Sequence, residues 1–137
     1  MGVAAAHPAE LVDAYLQLCE DRDLEAAARY LSPDVRLEFP GGEVFGSLAE
    51  LVAASGGKYR WVRKRRTRFA VGEIDGEVTV TSIGTLYGEA LDGSPFDGIR
   101  YVDFFVVGAD GLISEQVVWN DLVITGVVAL PDAPGRA

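Results

Sequence analysis

Histidine and cysteine are nearly missing from this sequence: one of each in 137 residues, His7 and Cys19. A single cysteine excludes an internal disulfide. One histidine close to the N-terminus argues against a zinc site or a Ser-His-Asp triad, so no metal centre is expected. Long apolar runs are missing too, and no stretch reads as a membrane-spanning helix. The opening MGVAAAHPAE has neither a basic region nor an extended apolar segment. That speaks against a secretory signal and makes the cytoplasm the expected location. No repeat, low-complexity block or linker divides the chain, so one domain is expected over 8–128, with flexible tails at 1–7 and 131–137.

Positive charge is scarce and clustered. Lys and Arg number 12 against 21 Asp and Glu, a net charge of −9. Seven of the twelve fall in one stretch without an acidic residue: Lys58, Arg60, Arg63, Lys64, Arg65, Arg66 and Arg68. The remaining acidic body repels polyanions, so nucleic acid is not an expected partner, and neither is a membrane. The basic stretch reads as a solvated strand face with local capacity for a phosphate or carboxylate.

What is present is an ordinary globular balance, 49% hydrophobic and 24% charged. Pro8 suits a first helical position, and Leu11, Val12, Tyr15, Leu16 and Cys19 recur at helical spacing, predicting a helix over 8–20. Asp23 is a plausible N-cap for a second helix over Leu24–Leu31, ending before Pro33. Val35–Phe39 alternates as a short strand. Ser47-Leu48-Ala49-Glu50 forms a capping box for a third helix, weakened at Gly56-Gly57 but able to resume through Trp61-Val62. Strands follow at 64–74, 77–90, 99–107 and 112–128, separated by Asp75-Gly76, Asp92–Pro95 and Gly108–Gly111 turns. Gly84 and Gly88 are expected bend points. Two or three helices followed by an antiparallel meander predict an α+β fold: a cone-shaped curved sheet whose N-terminal helices close an apolar pocket.

Three segments carry a family resemblance: Tyr15–Ala26, Leu31–Pro40, and Asp92–Phe96 running through Arg100–Phe105 and Gly111–Ile113 to Val118–Leu122. In these the chain resembles the nuclear transport factor 2-like superfamily, and within it the SnoaL-like and ketosteroid isomerase-like proteins. Such folds host isomerases, cyclases, hydrolases, dehydratases and non-enzymes. Ketosteroid isomerase sets an aspartate base opposite a tyrosine and a protonated aspartate. The resemblance puts Tyr15 and Asp103 at the last two positions, but Phe39 where the base belongs. Glu38 beside it faces the other side of the strand. SnoaL-type cyclases and limonene epoxide hydrolases place an aspartate near the end of the last strand, which Asp121 resembles, with Trp119 as an aromatic wall. The hydrolase Arg-x-Asp pair has no match in Val80–Ile83, and Arg100 and Asp103 fall on opposite faces.

Asp103 interrupts an apolar strand, so it must be bonded, protonated or exposed. If Val107 pairs with Ile113 and the ladder runs on evenly, Tyr101, Asp103, Trp119 and Asp121 share a face, the carboxylates roughly 13 Å apart. A one-residue shift would bring Asn120 onto that face instead. The first register is expected. Asp121 is then the general acid/base, and Asp103 with Tyr15 bonds a carbonyl or enolate oxygen. Trp119, Phe39, Tyr101, Phe105, Tyr59 and Trp61 are the aromatic candidates for holding a ligand. Val102, Phe104 and Val106 form an outward apolar stripe that, with the resemblance, predicts a homodimer through the outer sheet face. The leading functional expectation is an acid/base enzyme (cyclase, isomerase or dehydratase) acting on a small apolar carbonyl or polyketide-like compound, without metal or redox cofactor. The alternatives are a non-catalytic binding or accessory protein and an epoxide hydrolase.

Overall fold

Pro8 opens helix α1 (Pro8–Glu20), where a missing N–H leaves no intrahelical bond unmade. His7 caps it, its Nδ1 accepting from the Ala9 N–H at 3.2 Å. The lone histidine thus starts the helix rather than lying in a loose arm. The computed structural model describes residues 7–129, so the tails expected at 1–7 and 131–137 otherwise lie outside the described residues. Val12, Tyr15 and Leu16 form the buried face of α1.

Helix α2 (Leu24–Ala28) is capped by Asp23, whose carboxylate accepts from the Ala26 N–H at 3.3 Å. It stops short of the expected Leu31. Pro33 disfavours helix just ahead of it, and the Tyr30 carbonyl instead accepts from the Ile113 N–H at 2.8 Å, drawing the chain into the sheet. Strand β1 therefore spans Leu31–Phe39. Gly41 and Gly42, at φ +92° and +81°, turn it into the short β2 (Glu43–Phe45). The capping box then opens α3 (Leu48–Ser55), with Ser47 Oγ accepting from the Glu50 N–H. This helix does not resume at Trp61. Tyr59 instead begins the longest strand, β3 (Tyr59–Ile74).

Asp75 and Gly76 adopt φ +53° and +83° in the tight turn to β4 (Glu77–Ala90). β5 (Pro95–Val107) and β6 (Ile113–Asn120) complete a six-stranded curved sheet in the order β2-β1-β6-β5-β4-β3. Every neighbouring pair is antiparallel except β1–β6. At Gly84 and Gly88 the β3 backbone comes so close that a Cβ would run into the carbonyl oxygens of Arg65 and Trp61. The β3–β4 register slips near both, between Arg66 and Arg68 and between Tyr59 and Trp61. These are the bends that curl the sheet.

The last strand is shorter than expected. From Asp121 the chain folds into successive turns, with Val128 N–H donating to the Leu122 carbonyl at 3.0 Å. Among the described residues two clusters of buried residues result. One gathers Val12, Tyr15, Leu16, Phe105 and Ile113 beneath α1; the other joins Leu86, Ile99 and Tyr101 to Leu122 and Val128 of the closing turns.

Candidate active site

The face of the sheet under α1 is decided by one extra residue. Val107 pairs with Ile113 as expected, but Val106 pairs with Glu115, leaving Ser114 as a bulge. The shift sets Asp103 opposite Val118 and Tyr101 opposite Asn120. It therefore turns Gln116, Val118 and Asn120 inward and corrects the expected register. Trp119 goes to the outer face, 55% exposed, and is not a pocket wall. Asp121 does not line the cavity either; its carboxylate accepts from Arg100 Nε at 2.7 Å, and Arg100 is 83% exposed. An acid/base role facing the pocket is not available to Asp121 in this arrangement.

Between the sheet and the helices lies a cavity of about 1200 Å³, lined by members of both buried clusters. Phe39, Tyr59, Tyr101 and Tyr15 stand on its wall. Phe105 does not: it is wholly buried and packs edge-on to Tyr15, with ring centroids 6.2 Å apart. Trp61 also lies away from the cavity, 42% exposed and edge-on to Tyr87. Phe105 is a packing residue by position, and Trp61 lies on the exposed side of β3. Alternation along β3 accounts for Trp61, because Val62 and Lys64 face inward as Trp61 and Arg63 face out. Phe105, by contrast, shares the inward face of β5 with Tyr101 and is covered by α1.

The walls are mainly apolar, interrupted by residues such as Glu43, Lys58, Asp92 and Asn120 and by a polar end near Glu20 of α1. There Lys64, 20% exposed, lines the cavity, and its Nζ stands 3.2 Å from Oδ2 of the fully buried Asp103. Asp103 itself is not on the wall; it sits behind Lys64 and Tyr101. Neither of its oxygens has an aligned hydrogen-bond donor, so the contact with Lys64 is ionic. Burial pushes the Asp103 carboxyl above the usual carboxylate range, and Lys64 pulls it only partly back. Burial alone would lower the Lys64 ammonium, but the Asp103 charge leads the effects that hold it above its usual value. Either charge without the other would be buried and uncompensated, so the two groups depend on each other.

Around this pair the hydroxyl groups are occupied. Tyr15 donates to Gln116 Oε1 at 3.3 Å, and Tyr101 and Ser82 share a hydrogen bond of 2.9 Å. Burial raises both phenols, Tyr15 well above its ordinary value, so both are neutral. Cys19, on the wall beside Tyr15, is likewise raised by burial and is a thiol. Arg66 is clamped under α1 by Asp13, Gln17 and Glu20. Glu20 also accepts from the Lys64 backbone N–H at 3.1 Å, which fixes β3 against the helix.

Sequence reasoning missed Lys64 and Gln116, and it treated the basic stretch as one solvated face. Arg60 and Arg65 do fit that reading, exposed and paired with Glu89 and Asp97. The available signal was the period of two: Val62, Lys64 and Arg66 share a face, and an apolar residue at its head marks that face as inward. Among the described residues no group of three or more His, Cys, Asp or Glu side chains is placed to hold a metal ion.

A curved sheet closed by N-terminal helices over a pocket defines the nuclear transport factor 2-like class. A solved structure of a protein of this class and of unknown function from Burkholderia pseudomallei matches with a TM-score of 0.76 at 16% identity, covering 91% of this chain and 99% of that one. TerC, co-crystallized with polyporic acid, matches with a TM-score of 0.72 at 21% identity, covering 89% and 98%. A protein provisionally assigned as a polyketide cyclase, from Xanthomonas campestris, matches at 0.60 and 20%, covering 81% and 87%. No curated protein matches in sequence. The SnoaL-like domain model matches residues 12–116, and the chain belongs to that family.

Proposed function

We propose that this protein is a cofactor-independent acid/base enzyme, a cyclase, isomerase or dehydratase, acting on a small apolar carbonyl or polyketide-like compound. The observation that carries the reading is the cavity of about 1200 Å³ with mainly apolar walls and a buried ion pair, Lys64–Asp103, at one end. An ion pair kept out of water is poorly repaid as a stabilising device, and a well-packed apolar pair would serve stability as well. Its charge instead suits a reaction in which charge develops on a substrate oxygen in a water-poor site. Neighbours assigned as polyketide cyclases and the acid bound to TerC are compatible with such a ligand. The Asp121 base expected from the sequence is left out of this reading, because Arg100 holds its carboxylate away from the cavity.

The second reading is a non-catalytic binding or accessory protein. It is favoured by Phe39, an apolar residue where the resemblance expects a base, and by Glu20, a wall carboxylate committed to Arg66. The experiment that separates the two is proton exchange. Small ketones and β-diketones found to bind are incubated in heavy water and followed by NMR. Exchange of the protons beside the carbonyl well above the buffer rate supports the enzyme; tight binding without exchange supports the accessory protein. The reading also takes the active unit to be a homodimer through the outer sheet face, where Val102 and Phe104 lie opposite Trp119 and Val117.

A further inference from the structure

The polar end of the cavity holds several groups able to touch a ligand oxygen: the Tyr15 and Tyr101 hydroxyls, the Gln116 amide and the Lys64 ammonium. Tyr15 donates to Gln116 Oε1, and Tyr101 shares its hydrogen bond with Ser82. Asp103 lies behind the wall and is out of a ligand's direct reach. Lys64 differs. Its ammonium carries three N–H donors, and the Asp103 carboxylate 3.2 Å away takes up one of them at most. Its fixed contacts are the ionic one to Asp103 and the face of the Tyr101 ring, 5.4 Å from the ring centre. An ammonium in an apolar cavity with open donors calls for an oxygen acceptor.

We propose that Lys64 is the residue that receives the ligand, donating to a carbonyl, enol or phenol oxygen on an otherwise apolar body, with Asp103 behind it as its counter-ion. This rests on the cavity being the ligand site, as proposed above. The chemical class follows from the charges. Facing Lys64 are Asp103 and Tyr101 from β5 and Tyr15 and Cys19 from α1, while the Arg66 and Glu20 charges nearby are paired with each other. Asp103 already balances Lys64, so a carboxylate ligand would leave one negative charge in excess. An oxygen that is neutral on arrival adds no charge to the pair on binding, and the ammonium then stands beside it as charge develops. Its aromatic neighbours Tyr59, Tyr101 and Phe39 suit a flat, conjugated body.

The test uses 2-naphthol as probe, with naphthalene as its oxygen-free control and 2-naphthoate as the anion. Fluorescence distinguishes bound naphthol from bound naphtholate. The reference is Lys64→Met combined with Asp103→Asn, which removes both charges and leaves no unpaired ion to unfold the protein. At equal pH the wild type should hold a naphtholate-to-naphthol ratio at least tenfold above that double variant, while both bind naphthalene within threefold of each other. Asp103→Asn alone, which keeps the ammonium, should stay within threefold of wild type or exceed it. 2-Naphthoate should bind at least tenfold more weakly than 2-naphthol. Equal ratios in wild type and double variant, with naphthalene still bound, would overturn the role of Lys64 and leave the cavity reading standing. A ratio that collapses in Asp103→Asn alone would give the oxygen contact to Asp103 and overturn the inference. Naphthoate binding as tightly as naphthol would overturn the neutral-oxygen class. Failure of the wild type to take up naphthalene or naphthol would overturn the cavity reading and this inference together.

Discussion

Replacing Lys64 by Met alone leaves Asp103 fully buried, with no cation within reach and no hydrogen-bond donor on either oxygen. Breaking one side of a buried pair costs about 3–5 kcal/mol, more than the modest loss expected for a solvated ion pair. In a domain of this size that lowers the melting temperature by about 10–20 °C. The cost must depend on pH. Burial already raises the Asp103 carboxyl, and removing Lys64 takes away the charge that holds it down. A carboxyl whose folded pKa lies above its unfolded value binds its proton more tightly in the native state. The native state is therefore penalised as pH rises from the unfolded pKa through the folded one, and relieved on acidification. The stability difference between wild type and Lys64→Met should be largest at pH 8 and shrink steadily toward pH 5. Urea unfolding of both proteins across that range measures it, and the other carboxylates cancel in the difference. Adding Asp103→Asn to Lys64→Met should recover stability at pH 8, since no charge is then stranded. A difference below about 1 kcal/mol at pH 8, or one that does not change with pH, would refute the reasoning.

Asp121→Asn removes one half of a pair whose arginine is 83% exposed, so stability should change by less than about 1 kcal/mol and naphthol binding should not change; urea unfolding and a fluorescence titration check both. Tyr15→Phe leaves Gln116 Oε1 without its buried donor and should cost about 1–3 kcal/mol in the same unfolding assay. Gly84→Ala forces a Cβ against the Arg65 carbonyl and should cost about 1–3 kcal/mol, read by calorimetry. Phe104→Glu places a charge in the outer apolar stripe and should convert a dimer to a monomer at micromolar concentration by light scattering; a wild type that is already monomeric would remove the proposed dimer.

The fold was legible because its local signals agree with its global arrangement. Pro8, Asp23 and the Ser47–Glu50 box start the three helices where their chemistry allows. Asp75-Gly76 turns β3 into β4 through positive φ angles that these residues tolerate. Boundaries failed where tertiary pairing overrode propensity: Leu31 left a helical pattern to pair with Ile113, and Trp61 joined β3 instead of extending α3. The candidate site was legible only in part. Tyr15, Asp103, Tyr101, Phe39 and Tyr59 lie at or beside the cavity, since their strand and helix faces follow from periodicity. Trp119 and Asp121 were misplaced by one residue, because the Ser114 bulge has no turn residue or glycine to announce it. Lys64 was hidden by its neighbours: inside a run of seven basic residues, an inward lysine looks like the outward ones on either side.

The most direct test of the central claim is a crystal structure of the protein with 2-naphthol bound. The account predicts the naphthalene rings inside the cavity against Tyr59 and Phe39, with the oxygen within hydrogen-bond distance of Lys64 Nζ and Asp103 still behind it. A naphthol seated on the outer sheet face, or one inside the cavity whose oxygen turns away from Lys64, would contradict it.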